Sequence, residues 1–132
     1  MTWLTEVEID TLLAAPDRTT WTGRRDAALF ALAVQTGLRA SELIGLTCRD
    51  VHLGSGAHVS CHGKERKQRI TPLTSGTIAH LRVWLAERAG QPAAPLFTTQ
   101  TGRALSRDAV AHRLAKYVQK ATDACPSLAQ NP

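Results

Sequence analysis

The feature that most restricts the fold is a change of hydrophobic pattern, from helical spacing to short strand-like segments and back to helical spacing. The strand-like segments cover residues 51–53, 57–61 and 68–72. Gly54-Ser55-Gly56 separates the first two, and the charged run 63–67 separates the last two, as turns do between neighbouring antiparallel strands. This pattern predicts an α+β fold that is mostly helical and contains a small antiparallel three-stranded sheet.

Apolar residues at helical spacing predict three helices before the sheet. The first should cover residues 6–15. The second should follow a polar connection through Thr22, form the core and end at Gly37, which favours a left-handed cap. The third is short and has Arg39 at its entrance.

Helical spacing returns after the sheet. One helix should run from Ile78 to near Gly90, and a last one should begin at Ser106, a good N-cap residue. Its apolar face should include Val110, Leu114, Tyr117, Val118 and Ala121. We therefore interpret Tyr117, the single tyrosine of the chain, as a packing residue.

Length and charge favour one basic domain. The 132 residues leave no room for a second domain of ordinary size. The formal net charge is +5, yet residues 1–17 contain four acidic residues and no Lys or Arg, which leaves +9 on the rest of the chain. A segment as basic as residues 18–132 is typical of proteins that bind polyanions, most often nucleic acid.

Several classes of protein are excluded. The longest apolar stretch, residues 27–34, is far shorter than the roughly 20 residues that span a bilayer. No signal peptide is evident at the N-terminus, so we expect a cytoplasmic protein without a membrane partner. The three cysteines show no Cys-x-x-Cys spacing, which predicts no metal site. The sequence also lacks a Gly-x-Ser-x-Gly elbow and a Gly-x-x-x-x-Gly-Lys phosphate loop.

The first candidate site is the segment Gly37-Leu38-Arg39-Ala40-Ser41-Glu42-Leu43, where an arginine follows a helix cap and a glutamate stands three residues later. A guanidinium held by that carboxylate could present a planar set of donors to a phosphate. We therefore expect Arg39 to be set deep, beside Glu42. The alternative is an Arg–Glu pair on the surface beside a helix end.

The second candidate site is the predicted hairpin tip at residues 63–69. It contains four cations, Lys64, Arg66, Lys67 and Arg69, against one carboxylate. Their mutual repulsion would be relieved by an anion, and contact with a DNA phosphate backbone is the simplest use of such a tip. The alternative is a solvated turn.

Together the two segments carry a resemblance. Gly-Leu-Arg-x-Ser-Glu-Leu, followed by Gly-Lys-x-x-Lys-x-Arg-x-x-Pro-Leu, resembles the tyrosine recombinases, the family of phage integrases. In that family a tyrosine hydroxyl attacks a DNA phosphodiester without a metal or nucleotide cofactor. The resemblance implies that Arg39 binds the scissile phosphate, that Glu42 supports it and that Lys64 is the general acid, with Arg66, Lys67 and Arg69 on the DNA backbone.

The chain also departs from the family pattern. None of its five histidines has an arginine three residues later, so the His-x-x-Arg motif is absent, and no tyrosine stands where the nucleophile should be. We therefore interpret residues 1–132 as a partial catalytic domain, lacking its C-terminal half and the family's N-terminal DNA-clamping domain. It should bind double-stranded DNA but not cleave it alone, and it could self-associate or join other recombinase protomers. A non-catalytic DNA-binding regulator and a protein-interaction module with a basic hairpin are the alternatives.

Overall fold

Helices and one small sheet make up the part of the chain that the structure, a computed structural model, describes: residues 11–62 and 68–124. Residues 11–14 are helical. The elements that follow are α1 (Trp21–Thr36), α2 (Ala40–Ile44), a 3-10 turn (Cys48–Asp50), β1 (Val51–His52), β2 (His58–His62), β3 (Gln68–Pro72), α3 (Ser75–Arg88) and α4 (Arg107–Ala124). The predicted α+β fold is confirmed.

Helix α1 runs through the centre of the core, as predicted. It begins at Trp21, before the expected polar connection has ended, because the Thr20 side chain caps it by accepting a hydrogen bond from Gly23 N–H at 2.9 Å. It ends at Gly37, whose φ of 72° is the left-handed conformation that glycine adopts without strain. Leu29 and Leu32 are fully buried in the middle of the helix.

The three strands form an antiparallel sheet in the order β1-β2-β3. The central strand, β2, faces the core through Val59 and Cys61, which are both buried. Cys61 lies opposite Arg69 of β3 in the ladder. The tip that joins β2 to β3, residues 63–67, lies outside the described residues.

Helices α3 and α4 cover α1. Trp84 of α3 is fully buried, and its indole N–H donates to the Leu96 carbonyl at 2.7 Å. Helix α4 is capped as predicted, with Ser106 Oγ accepting a hydrogen bond from Ala109 N–H at 3.0 Å. The prediction of which residues of α4 face the core is only partly correct, because Leu114 and Val118 are each 40% exposed.

Candidate phosphate-binding site

Arg39 stands at the junction between α1 and α2. The Gly37 cap closes α1, with its N–H donating to the Ala33 carbonyl at 2.9 Å, and Leu38 is then buried. Arg39 follows as the N-cap of α2 in extended backbone, and its side chain is exposed. The main chain of Arg39 is therefore fixed between two helices while its guanidinium faces solvent.

Glu42 holds Arg39 through the main chain. Its Oε1 accepts a hydrogen bond from the Arg39 N–H at 2.9 Å, which satisfies one of the donors that a helix N-terminus leaves without a partner. This bond is the largest cause of a lowered pKa for the Glu42 carboxyl, and the positive charge of Arg69 acts in the same direction. Glu42 is therefore a carboxylate at neutral pH.

The second oxygen of Glu42 faces the sheet. Glu42 Oε2 lies 3.5 Å from an Nη of Arg69 and accepts a hydrogen bond from the Cys61 thiol at 3.7 Å. Burial and the Glu42 charge both raise the pKa of Cys61, so this thiol stays protonated and can donate. One carboxylate thus connects α2 to both β2 and β3.

This arrangement corrects one expectation about Arg39. The sequence predicts a guanidinium set deep and held by the Glu42 carboxylate, but Arg39 is exposed and, among the described residues, Glu42 forms its side-chain ion pair with Arg69. The physical reason is that Glu42, in the first turn of α2, is placed to satisfy the Arg39 amide, so the guanidinium is left to solvent.

The structure brings together three of the predicted site residues. Arg39, Glu42 and Arg69 meet on one surface although two different segments supply them. The Arg69 side chain is 58% exposed and can turn to an external anion. Lys64, Arg66 and Lys67 lie outside the described residues, so their placement stays a prediction.

A buried charge cluster centred on Asp26 escaped the sequence analysis. The fully buried Asp26 carboxylate accepts hydrogen bonds from Nε of Arg25 and Nε of Arg113, both at 2.9 Å, and from the Tyr117 hydroxyl at 2.6 Å. Arg25 also donates to the Thr98 carbonyl at 3.0 Å. The one available signal was an Arg-Asp pair directly before the most apolar stretch of a core helix, where a charge needs a partner.

Tyr117 is a packing residue, as predicted, and it also has a polar role. It is 5% exposed, and its ring meets Phe30 edge to face with the centroids 5.5 Å apart. Burial and the nearby Asp26 charge raise the pKa of the Tyr117 phenol. Its hydroxyl is therefore a protonated hydrogen-bond donor inside the core.

An apolar groove opens between α1, α2 and α4. Residues from all three helices and from the helical segment at 11–14 line it, including Leu12, Phe30, Val34, Leu38, Val110 and Leu114. Val34 and Leu114 are 42% and 40% exposed. Exposed apolar surface of this kind is typical of a site that contacts another polypeptide.

Two further features concern only the described residues. No helix there is both long enough and apolar enough to cross a membrane. Within the same ranges, no three His, Cys, Asp or Glu side chains are grouped so that they could hold a metal ion.

Comparisons with known proteins agree on one family. Residues 2–129 match the model of the phage integrase family. An integrase/recombinase of Sinorhizobium fredii, y4rC, is 48% identical over 126 residues, which is 96% of this chain and 38% of that protein. The tyrosine recombinase XerD of Pseudomonas aeruginosa is 35% identical over 123 residues, which is 89% of this chain and 41% of that protein.

A solved structure shows the same fold. The crystal structure of the site-specific recombinase XerH, bound to its difH substrate in a pre-cleavage complex, superposes with a TM-score of 0.73 at 27% identity. The match covers 93% of this chain and 36% of that one. The chain thus spans less than half the length of the recombinases to which it is similar.

Proposed function

This chain belongs to the phage integrase family, and on that basis we propose that it is the DNA-binding portion of a site-specific tyrosine recombinase that takes part in DNA recombination and integration. The observation that carries the proposal is the meeting of Arg39, Glu42 and Arg69 on one exposed surface. Two arginines, of which only Arg69 pairs with the Glu42 carboxylate, leave an excess of positive charge on this surface, which a DNA phosphate would neutralise.

The proposed roles follow from where charge develops during phosphoryl transfer. When a tyrosine hydroxyl attacks a phosphodiester, negative charge builds up on the phosphate oxygens, and fixed donors aimed at those oxygens lower the barrier. Arg39, held by its main chain and exposed at its guanidinium, would be such a donor. Glu42 would fix its position, and Lys64 would protonate the departing 5′-oxygen as general acid.

The remaining cations of the hairpin would bind the phosphates of the DNA backbone without contributing to sequence specificity. Arg66, Lys67 and Arg69 are suited to phosphate contacts, which position a protein on the duplex. The XerH structure, which is similar in fold and was solved with its DNA substrate, supports DNA as the partner. Double-stranded DNA is therefore the proposed partner, and the cytoplasm, where such DNA is met, is the proposed location.

We further propose that this chain does not cleave DNA by itself and needs no cofactor for binding. Tyr117 is buried and bonded to Asp26, so it is not available for attack on a phosphate. The sequence also contains no His-x-x-Arg motif to supply a second phosphate-binding arginine. Strand cleavage would require groups contributed by other polypeptide.

The apolar groove favours a second function beside DNA binding. Its exposed residues, including Val34 and Leu114, could contact a second copy of the chain or another recombinase protomer. A protein-interaction module would use its basic hairpin to meet an acidic protein, whereas a DNA-binding regulator would use the basic surface without any catalysis.

The salt dependence of DNA binding tests the proposal. If the five cations Arg39, Lys64, Arg66, Lys67 and Arg69 each meet a phosphate, the slope of log K against log salt should be about −4.5, so a fourfold rise in salt should weaken binding by about 500-fold. Over this range of salt concentration, the affinity should depend little on the base sequence of the duplex. If the chain does not bind DNA at low salt, or if its affinity for DNA does not respond to salt, DNA binding is rejected in favour of a protein-interaction module.

A further inference from the structure

The side chain of Gln35 ties the last turn of α1 to the end of the sheet. Its Nε2 donates to the Pro72 carbonyl at 2.9 Å, and its Oε1 accepts a hydrogen bond from the Thr74 N–H at 3.0 Å. Both ends of one amide are thus engaged, and both partners are main-chain groups more than 35 residues away in the sequence.

The two main-chain groups lie at the end of β3, which is an edge strand of the sheet. Pro72 is the last residue of β3, paired with His58, and Thr74 is the N-cap of α3. Backbone polar groups on the open side of an edge strand, or just beyond the strand, need side chains or water as partners. Gln35 supplies both a donor and an acceptor there, so the strand end is fastened to α1 rather than to solvent.

Gln35 is also close to Arg39 along a rigid path. It stands two residues before the Gly37 cap, and after the cap Leu38 is anchored by burial and by its N–H donating to Thr36 Oγ1 at 3.3 Å. A displacement of β3 from α1 would therefore be a displacement of β3 from Arg39.

A second tie joins the same two elements near Arg39. Glu42, which holds the Arg39 amide, also faces Arg69 at 3.5 Å. That contact involves a side chain that is 58% exposed and is weak alone. The Gln35 amide instead makes two neutral hydrogen bonds to main chain, which salt does not screen as it screens an exposed ion pair.

We propose that Gln35 is a positioning residue that sets the distance between Arg39 and Arg69 by fastening β3 to the end of α1. The inference rests on the proposed function, in which both arginines meet one DNA backbone. With the tie in place the two cations are presented together. Without it, binding must first order β3 against α1, which costs affinity although no charge has been removed.

Neutral substitutions at Gln35 separate positioning from charge. Gln35→Met keeps a long unbranched side chain and removes both hydrogen bonds. We expect it to weaken DNA binding by about fivefold, the equivalent of one net hydrogen bond, with an unchanged salt slope. In the Arg39→Ala background the same substitution should have no further effect, because the cation at the end of α1 is no longer there to be aligned with Arg69. Gln100→Met, at an exposed glutamine of the loop before α4, is the matched control and should bind like the parent.

A second measurement does not depend on DNA. Hydrogen exchange of the Arg39 amide should become faster in Gln35→Met, because a loosened β3 no longer steadies Glu42, while the amide of the buried Leu29 in α1 should exchange as in the parent. If Gln35→Met lowers the folded fraction, Gln35→Glu, which keeps the acceptor for Thr74 and loses the donor to Pro72, should show part of the faster exchange; its added charge restricts its use to this measurement.

The outcomes distinguish the proposed function from the positioning role. Failure of the parent to bind DNA would reject the proposed function, and the Arg39 amide would still decide whether Gln35 positions that residue. Faster exchange at Thr74 alone, with the Arg39 amide unchanged, would overturn the positioning role. The positioning role would also be overturned if the losses of DNA-binding free energy caused by Gln35→Met and Arg39→Ala simply added in the double variant.

Discussion

The hydroxyl of Tyr117 donates a hydrogen bond of 2.6 Å to Oδ2 of Asp26, a carboxylate with no exposed surface. This bond joins α4 to α1 in the core. The Arg113 guanidinium donates to both partners, to Asp26 at 2.9 Å and to the Tyr117 oxygen at 3.0 Å. The single tyrosine of the chain therefore has a structural role, which bears directly on what the chain can do to DNA.

The first prediction is that the chain forms no covalent adduct with DNA. A suicide substrate that traps phosphotyrosyl intermediates should give no shifted band on a denaturing gel, whereas a complete tyrosine recombinase should give one with its own site. Tyr117→Phe should leave DNA affinity unchanged and lower stability by about 1–3 kcal/mol, because Asp26 loses a donor. An adduct that disappears in Tyr117→Phe would contradict this structural role of the residue.

The second prediction concerns the buried charge cluster. Asp26→Asn should lower the free energy of unfolding by about 3–5 kcal/mol, since it leaves the Arg25 and Arg113 guanidinium groups without their carboxylate. Glu87→Gln is the matched control. It breaks an ion pair with Arg24 whose side chains are 26% and 31% exposed, and it should cost less than about 1 kcal/mol. Denaturant titrations that give the two variants equal losses would show that the Asp26 cluster is not important for stability.

The sequence predicts the elements of this fold well because their signals are local. Gly37 marks the end of α1 and Ser106 caps α4 through contacts with residues only a few positions away. The strands are bounded by a glycine turn and a charged run, which are also local. The outward position of Leu114 is different, since it depends on whether another segment covers α4, and no residue of the helix itself encodes that.

The sequence predicts which residues belong to the site but not which of them contact one another. Two motifs bring Arg39, Glu42 and Arg69 to attention, yet the ion pair between Glu42 and Arg69 spans 27 positions and depends on how β3 packs beside α2. The Asp26 cluster depends likewise on Arg113 and Tyr117, which follow it by 87 and 91 positions. Contacts across such distances are set by tertiary packing, which local patterns do not specify.

The third prediction is a pH dependence from Glu42. Because its pKa is lowered in the folded state from an ordinary value of 4.5, the ionised carboxylate contributes stability that is fully present above that value and is lost as the pH falls through the lower folded value. Glu42→Gln removes the charge at similar size. The stability difference between the parent and Glu42→Gln should therefore be largest near neutral pH and shrink in acid. A difference that does not change with pH would show that the charge of Glu42 is irrelevant to folding.

The fourth prediction concerns the apolar groove. If it contacts a second copy, sedimentation of the parent should show association that grows with concentration, and Leu114→Gln should reduce it. Val83→Gln, at a residue of α3 that is 52% exposed and does not line the groove, is the control and should associate like the parent. A parent that stays monomeric at every concentration would show that the groove does not bind a second copy.

The salt dependence of DNA binding, measured on variants of the basic residues, is the sharpest test of whether this surface binds DNA. Replacing Lys64, Lys67 and Arg69 by Ala should reduce the magnitude of the logarithmic salt slope by about 2.7, which is 0.9 for each phosphate that the variant no longer neutralises. Arg39→Ala should reduce it by about 0.9 and weaken binding by more than one surface cation does, because the main chain of Arg39 is already fixed between α1 and α2 and only its side chain has to be ordered. If the triple variant keeps both the affinity and the salt slope of the parent, the hairpin is a solvated turn and the proposed DNA-binding surface is wrong.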